Sequence, residues 1–215
     1  MKMNKFGSPE KPKMDIYTMP GYQHHPARVK DSVWSHEDKP WGDPQYPHKS
    51  QHSSIESHYL YRNVLKLGIG NYANLGVFRG GSTDCIAQGL KKLGGGQIYA
   101  VDLFQKINGA ENVEDLIDIF KDRGTDKYTT FCEGYTHDWP ARLKHLQFKF
   151  IFIDADHYYE TCKQDFDLWS PLLEPEGVIA FHDVDFNTVN KFLEDELGDW
   201  ELVDHVYRIK SFRKK

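Results

Sequence analysis

Residues 74–83, Asn-Leu-Gly-Val-Phe-Arg-Gly-Gly-Ser-Thr, join a predicted strand to a predicted helix through a glycine-bearing turn. Residues 72–77 are mostly apolar, as expected of a buried strand, and Ser82 or Thr83 is expected to cap the helix. One face of this helix carries Ile86, Leu90 and Leu93. A helix start offers unpaired N–H groups and the positive end of a dipole, so the turn predicts a site for an anionic group such as a carboxylate. A tight turn that binds no ligand is the alternative.

This turn differs from the glycine fingerprint of dinucleotide-binding folds. In that fingerprint the second glycine follows the first by two residues, so that the backbone can approach a pyrophosphate. Phe78 stands at that position here, and Gly80 and Gly81 come later. A pyrophosphate would meet a side chain, whereas a smaller amino-acid-like headgroup could lie on the helix start. A Rossmann-type nucleotide-binding oxidoreductase is therefore disfavoured, and it is kept as an alternative function.

The second half of the chain alternates predicted strands with predicted helices. The predicted strands cover 97–102, 128–132, 148–154 and 177–182, followed by two short closing strands within 200–212. The intervening helices present apolar faces, such as Tyr158, Cys162, Phe166 and Trp169 in one and Phe186, Val189, Leu193 and Leu197 in the next. Such alternation predicts a parallel sheet with helices on both faces. The predicted fold class is a single doubly wound, Rossmann-like α/β domain with a mostly parallel seven-stranded sheet and an antiparallel strand near the C-terminus.

Length and composition restrict the class of protein. With 215 residues, of which 39% are hydrophobic, the chain can bury one core of good size. A net charge of -5 gives no basic patch that would predict a nucleic-acid partner. The three cysteines, Cys85, Cys132 and Cys162, are odd in number and suit a reducing compartment. No long apolar run or secretory signal is visible, so no membrane association is expected and a cytoplasmic protein is predicted.

Residues 1–54 differ in composition from residues 55–215, which form the predicted domain. They are rich in Pro, His and Tyr and have little periodicity, so we interpret them as an irregular N-terminal arm or lid. Six histidines lie in the first 58 residues and lack the close spacing of a metal site: His24, His25, His36, His48, His52 and His58. Trp34, Trp41 and Tyr46 could anchor the arm over the ligand edge of the sheet or against a second subunit in a homo-oligomer.

Polar residues follow the predicted strands at their carboxyl ends, where ligands bind in open parallel sheets. They are Asp102, the segment 133–136 (Glu-Gly-Tyr-Thr), the segment 154–157 (Asp-Ala-Asp-His) and the pair His182 and Asp183. An acid after a strand also caps helices, and this explains Asp156 and Asp185. Asp102 directly ends an apolar strand and suits a grip on vicinal ribose hydroxyls, which implies an adenosine-type ligand.

Four motifs stand in order at the ends of predicted strands. They are Leu-Gly-Val-Phe-Arg-Gly-Gly-Ser at 75–82, Tyr-Ala-Val-Asp at 99–102, Phe-Ile-Asp-Ala-Asp-His-Tyr-Tyr-Glu at 152–160 with Asp165 downstream, and Gly-Val-Ile-Ala-Phe-His-Asp at 177–183. In this order they resemble the class I S-adenosyl-L-methionine-dependent methyltransferases, most closely the family 24 branch that includes macrocin-type sugar O-methyltransferases. The similarity covers roughly residues 60–200, a span suited to one α/β domain. It implies an enzyme that methylates an oxygen of a small hydroxylated, sugar-like or polyol molecule.

The resemblance also implies where S-adenosyl-L-methionine binds. The residues concerned are Leu75, Gly76, Phe78, Gly80, Gly81 and Ser82 for the methionine part, Asp102 and Leu103 for the ribose, and Gly134, Tyr135 and Thr136 for the adenine, with Asp154 beside them. Asn74 stands where many relatives carry an acid. An amide can accept a hydrogen bond there but offers no full negative charge to the ammonium group of the cofactor.

The ends of the fourth and fifth predicted strands are the candidate catalytic region. Asp154 and Asp183 end strands about 4.8 Å apart and could share a hard cation. The resemblance to macrocin-type and catechol O-methyltransferases implies a Mg²⁺ site at Asp154, Asp183 and His182, where His182 replaces an acid of those enzymes. His157 or His182, beside Asp154, is the candidate general base, since a neutral imidazole is available near pH 7. The alternatives are that His157 caps its helix, that His182 is structural, and that the whole domain is a non-catalytic interaction module.

Overall fold

The computed structural model describes residues 52–105 and 112–215. Within these ranges the α-helices are α1 (Ser54–Leu67), α2 (Gly81–Leu93), α3 (Val113–Arg123), α4 (Pro140–Leu143), α5 (Tyr159–Trp169) and α6 (Asn187–Glu196). The strands are β1 (Asn71–Leu75), β2 (Gln97–Asp102), β3 (Thr129–Glu133), β4 (Phe148–Ile153), β5 (Leu173–Phe181), β6 (Trp200–Val206) and β7 (Ile209–Lys214). The arm predicted for residues 1–54, with Trp34, Trp41 and Tyr46, lies outside the described residues except for its last three positions.

The seven strands form one sheet in the order β3-β2-β1-β4-β5-β7-β6. Strands β1 to β5 pair in parallel, and β7 runs antiparallel to both β5 and β6. The order reverses between the neighbours β1 and β4, which is the switch point where open sheets of this kind bind ligands. The predicted fold class, with an antiparallel strand near the C-terminus, is confirmed.

Two hydrophobic layers cover the two faces of the sheet. Successive side chains of a strand point to opposite faces, and β4 shows this clearly. Phe150 and Phe152 join the layer that contains α1, α2 and α3, whereas Ile151 and Ile153 join the layer that contains α5 and α6. The predicted helical coverage of both faces is therefore present. The three cysteines are free and buried in these layers.

The start of α2 differs from the prediction that Ser82 or Thr83 caps it. The N-cap residue is Gly80, which has a φ of 79° and makes no side-chain cap. Ser82 and Thr83 lie inside the helix and are buried, and their hydroxyls are 3.1 Å and 2.8 Å from Nδ2 of Asn74. The same Nδ2 donates to the Gly76 carbonyl at 3.0 Å. An amide can donate these bonds and a carboxylate cannot, so Asn74 ties the turn to the helix.

The capping roles expected of Asp156 and Asp185 are also wrong. The N-cap residues of α5 and α6 are Tyr158 and Phe186, and neither makes a side-chain cap. Asp156 instead accepts the His157 backbone N–H at 2.7 Å, and Asp185 accepts Nε of Arg208 at 2.8 Å. Tyr158 and Phe186 were predicted on the buried faces of these helices. Because both residues precede the first helical turn, they do not lie on those faces and are 67% and 42% exposed.

Among the described residues, no helix combines the length and the apolar character needed to cross a lipid bilayer.

Asp165 of α5 is a buried carboxylate that should make stability depend on pH. Burial raises its pKa to about 6, although hydrogen bonding with Thr136 offsets part of the effect. An unfolded chain releases this proton near pH 3.9, so the folded state loses stability as pH rises from about 4 through about 6. We expect Asp165→Asn to raise the free energy of unfolding by up to about 3 kcal/mol at pH 7.5, and much less at pH 4, in urea titrations. Asp167→Asn, at an exposed acid of the same helix, is the control, and an equal effect of Asp165→Asn at both pH values would contradict the prediction.

Candidate functional site

A cavity of about 700 Å³ opens at the carboxyl ends of β1, β2, β4 and β5, beside the switch point. Of the predicted site residues, its walls include Gly76, Phe78, Gly81, Asp102, Leu103, Asp154, His157, His182 and Asp183. The predicted residues that do not line it are Leu75, Gly80, Ser82, Gly134, Tyr135 and Thr136. The structure thus brings together the residues at the ends of β1, β2, β4 and β5, and leaves those at the end of β3 apart.

The turn after β1 packs directly against the end of β4. Gly76 has a φ of 89°, and its N–H donates to the Val101 carbonyl at 2.9 Å. A Cβ on Gly76 would lie 2.1 Å from the carbonyl oxygen of Asp154. No side chain fits at this position, and the two strand ends therefore approach each other at the floor of the cavity.

The Asp102 carboxylate holds two loops of the cavity wall. Its Oδ2 accepts the backbone N–H groups of Val77 and Phe78 at 2.7 Å and 3.0 Å, and its Oδ1 accepts that of Phe104 at 3.0 Å. Phe78 and Phe104 have φ values of 52° and 49°, a left-handed conformation that costs a non-glycine residue about 1–3 kcal/mol. Asp102 therefore stabilises both loops, a contribution that its position at the end of a strand did not reveal.

The segment after β3 lies beside β2, outside the cavity. The Gly134 N–H donates to the Asp102 carbonyl at 2.9 Å, and the Thr136 carbonyl accepts Nε1 of Trp169 at 3.0 Å. Tyr135 is 58% exposed, and its ring stacks on His137 with centroids 5.2 Å apart. The role of these residues at an adenine ring stays a prediction.

His182 lies at the centre of a buried group of carboxylates. Its Nε2 is 2.9 Å from Oε1 of Glu56, and its Nδ1 is 3.1 Å from Oδ1 of Asp154 and 3.2 Å from Oδ1 of Asp183. Burial alone would lower the pKa of His182, but the three carboxylates outweigh it and raise the pKa to about 11. When no metal ion is bound, the ring therefore carries a positive charge at neutral pH.

His157 and Asp183 form an imidazole–carboxylate pair at the mouth of the cavity. Nε2 of His157 lies 2.5 Å from Oδ2 of Asp183, and this hydrogen bond raises the pKa of His157. Burial would raise the pKa of Asp183, but the hydrogen bond to His157 and the positive charges of His182 and Arg208 hold this pKa well below its usual range. Arg208 contacts Asp183 directly, so the carboxylate faces three positively charged or protonatable groups.

His52, Glu56 and Arg208 belong to this site although the sequence interpretation missed them. Nε2 of His52 is 3.0 Å from Oδ2 of Asp154, and its ring centroid is 4.5 Å from that of His182. His52 precedes Ser53, the N-cap of α1, whose capping box with Glu56 is visible in the sequence as Ser-x-x-Glu. That signal could have drawn attention to Glu56. Arg208 gave no comparable signal, because it comes from the turn between β6 and β7.

Two overlapping groups of donor atoms in this site have the spacing of metal ligands. The groups are His52, Asp154 and His182, and Asp154, His157 and Asp183, and within each the donor atoms lie within 4.8 Å of one another. The three residues predicted as metal ligands, Asp154, Asp183 and His182, therefore lie together. Asp154 is the member common to both groups.

Comparisons with known proteins agree with this geometry. A family model described as a methyltransferase domain matches residues 73–184, a little over half of the chain. A search of curated proteins finds no match.

Similar solved structures include three methyltransferases. The O-methyltransferase from Bacillus cereus in complex with SAH has a TM-score of 0.63 and 18% identity, covering 78% of this chain and 84% of that one. The SAH-bound methyltransferase PaMTH1 of Podospora anserina has a TM-score of 0.60 and 17% identity, covering 76% and 80%. CalS11, a TDP-rhamnose 3'-O-methyltransferase of calicheamicin biosynthesis, has a TM-score of 0.56 and 18% identity, covering 74% and 77%. At these identities the likeness shows the fold.

The matched range begins in β1 and ends just after Asp183. It includes the glycine turn, Asp102, Asp154 and the pair His182 and Asp183, whereas His52, Glu56 and Arg208 lie outside it. The chain therefore belongs to this family of methyltransferase domains, as its resemblance to class I S-adenosyl-L-methionine-dependent methyltransferases predicted.

Proposed function

We propose that the protein transfers a methyl group from S-adenosyl-L-methionine to a hydroxyl oxygen of a small polar acceptor, sugar-like or polyol. One observation carries the proposal: the same cavity contains the glycine turn with Asp102 on one wall and the His157–Asp183 pair, at 2.5 Å, on the other. Its volume of about 700 Å³ is typical of small-molecule sites. The SAH bound to two of the similar structures and the sugar acceptor named for CalS11 support the same assignment.

The cofactor would lie between the turn after β1 and the end of β2. The positive end of α2 suits the methionine carboxylate, and one acceptor position of Asp102 Oδ1 stays open for a ribose hydroxyl. The proposed contacts are Leu75, Gly76, Phe78, Gly80, Gly81 and Ser82 for the methionine part, Asp102 and Leu103 for the ribose, and Gly134, Tyr135 and Thr136 for the adenine. When bound, the cofactor supplies an electrophilic methyl group on a sulfonium.

His157 is proposed as the general base. Its Nε2 is hydrogen-bonded to Asp183, so Nδ1 is the nitrogen that would take the proton of the acceptor hydroxyl. Asp183 holds the ring in place and stabilises the imidazolium that forms. The protein's contribution is to align acceptor oxygen and methyl carbon and to remove this proton. Because hydrogen bonding to Asp183 raises the pKa of His157, the rate should increase as pH rises above 6.5.

We expect His157→Gln to lower kcat about 10²- to 10⁴-fold, the usual contribution of a positioned base, and to leave the cofactor dissociation constant unchanged. His145→Gln, at an exposed histidine outside the cavity, is the matched control. The assay is transfer of labelled methyl from S-adenosyl-L-methionine into extract metabolites, identified by mass spectrometry, with the cofactor dissociation constant from calorimetry.

The outcomes of this assay separate the hypotheses. A His157→Gln enzyme with the control's rate would rule out the base role. A wild-type chain that binds the cofactor but methylates nothing would support the non-catalytic module instead. A thermal shift with NAD and none with S-adenosyl-L-methionine would favour the oxidoreductase, against the family match.

A divalent cation at Asp154, Asp183 and His182 is the second part of the proposal. These donor atoms meet on the cavity wall, and the cluster has more carboxylates than fixed positive charges, which fits a cation. A cation held there would bind the acceptor hydroxyls and make them more acidic. Mg²⁺ is the ion that the resemblance implies.

A further inference from the structure

We propose that the ion at this site is a first-row transition metal dication such as Zn²⁺ or Fe²⁺ in place of Mg²⁺, with His52, His182 and Asp154 as its ligands. We call these three residues the two-histidine cluster, and we propose that Glu56 orients His182 within it. The inference rests on the proposed function in one respect only, which is that the metal would lie in the cavity proposed to bind the cofactor and the acceptor. The ligand set differs from the one predicted from the sequence, because His52, which lies outside the family match, takes the place of Asp183.

The distances within the cluster are those of neighbouring ligands on one ion. Nε2 of His52 is 3.0 Å from Oδ2 of Asp154, and Nδ1 of His182 is 3.1 Å from Oδ1 of the same carboxylate. Ligand atoms bonded at about 2.0–2.2 Å to one metal lie about 3.0–3.5 Å apart in octahedral or tetrahedral geometry. The two histidine–carboxylate distances therefore match the spacing of neighbouring ligands, although they run to different oxygens of Asp154, and one donor atom from each of the three residues lies within 4.8 Å of the others.

The hydrogen bonds of His182 favour a metal at its other nitrogen. Nε2 faces Oε1 of Glu56 at 2.9 Å, and Nδ1 faces Asp154 and Asp183 but makes no hydrogen bond of acceptable geometry. A neutral ring that donates from Nε2 presents a lone pair at Nδ1 to the carboxylates of Asp154 and Asp183, so a metal ion between them would take the place of the proton that Nδ1 carries when no metal is bound. Histidines that bind metals usually donate their second N–H to a carboxylate, as His182 does to Glu56.

The charges of the site leave room for a dication. The side chains of Glu56, Asp154 and Asp183 are 1%, 15% and 10% exposed and contribute three negative charges. Arg208 contributes one positive charge through Asp183. A dication with neutral histidines would balance the difference. Imidazole nitrogens suit zinc, iron and nickel, whereas Mg²⁺ prefers an octahedral shell of oxygens and water, so the two histidines select against Mg²⁺.

The start of α1 positions both histidines. The backbone N–H and the hydroxyl of Ser53 each donate to Oε2 of Glu56 at 2.7 Å, so the capping box fixes the carboxylate that receives His182. His52 directly precedes this box and packs against the His182 ring. The same few residues thus supply one ligand and orient another.

The experiment is a metal titration of the full chain after treatment with EDTA. We expect Zn²⁺ to bind and raise the melting temperature, Co²⁺ to give the visible absorption of a histidine-containing site, and Mg²⁺ at equal concentration to do neither. His52→Gln should weaken Zn²⁺ binding at least 10-fold, and Glu56→Gln by 10- to 100-fold, the usual effect of removing a carboxylate that orients a ligand. His58→Gln, on the helix that carries Glu56 and outside the cluster, should bind Zn²⁺ like the wild type.

The variants decide the result, because histidines elsewhere in the chain can also bind Zn²⁺. The proposal is overturned if His52→Gln and Glu56→Gln keep wild-type affinity and the Co²⁺ spectrum, if Mg²⁺ binds more tightly than Zn²⁺, or if the treated protein takes up no metal. Circular dichroism establishes that each variant is folded. Calorimetry with S-adenosyl-L-methionine on the same samples tests the proposed function separately, because cofactor binding should survive the loss of the metal.

Discussion

Gly76→Ala is expected to destabilise the protein by at least about 3 kcal/mol and to abolish methyl transfer, because its side chain would collide with the backbone that directly follows β4. The new Cβ would lie 2.1 Å from the Asp154 carbonyl oxygen and 2.7 Å from Cα of Ala155. A central strand cannot retreat without breaking its pairing to β1 and β5. The φ of 89° adds strain of its own. Urea denaturation gives the change in stability, and labelled-methyl transfer gives the activity.

The Gly94→Ala variant measures the cost of backbone strain at a glycine where the new side chain meets no other atom. Gly94 follows α2 with a φ of 77°, and a Cβ there would meet nothing within 4 Å. We expect this variant to lose about 1–2 kcal/mol, the cost of a left-handed alanine, and to keep its activity. Equal losses of stability in the two variants would show that the contact between the turn and the end of β4 adds nothing to the cost of the left-handed backbone.

Asp102→Ala is expected to raise the dissociation constant of S-adenosyl-L-methionine at least 100-fold. The change removes the acceptor of three backbone N–H groups, releases the left-handed residues Phe78 and Phe104, and deletes the oxygen proposed to bind the ribose. Leaving such donors unsatisfied costs about 1–3 kcal/mol, so the cofactor-free protein should also melt earlier. Calorimetry gives the affinity, and thermal unfolding without ligand reports on the loops.

Glu133→Ala is the control for this variant, because Glu133 is an exposed acid that pairs in register with Asp102 at the end of the next strand. We expect it to leave affinity and melting temperature near the wild-type values. An unchanged dissociation constant in Asp102→Ala would refute the ribose role. A weaker affinity with an unchanged melting temperature would instead refute the stabilisation of the loops.

The sheet could be predicted from the sequence because its strands are short apolar runs that end in polar residues. Strand β4 shows this: its six residues are almost all buried, and Asp154 follows directly. The helix starts were predicted less well, because cap preferences describe isolated helices. At α2 the backbone needs a left-handed residue, which Gly80 supplies, and the hydroxyls expected to cap the helix are instead used by Asn74.

The same contrast applies to the site. Asp154, His157, His182 and Asp183 could be predicted together because parallel strands bring their carboxyl ends to one edge. The contacts of His52, Glu56 and Arg208 with this site could not be predicted, because each residue reaches the edge from outside the parallel strands. The hydrogen bond between Glu56 and His182 joins residues 126 positions apart, and no local pattern specifies such a contact.

The position of the capping box has an evolutionary consequence. Glu56 and its neighbour His52 precede the part of the chain shared with the family, yet they contact the residues on which the proposed chemistry depends. A methyltransferase of this type would therefore acquire a different metal dependence without any change in its sheet. Exchanges within residues 52–56, which comprise the end of the preceding segment and the first turn of α1, would suffice, so metal dependence could diverge at this short segment while the sheet stays the same.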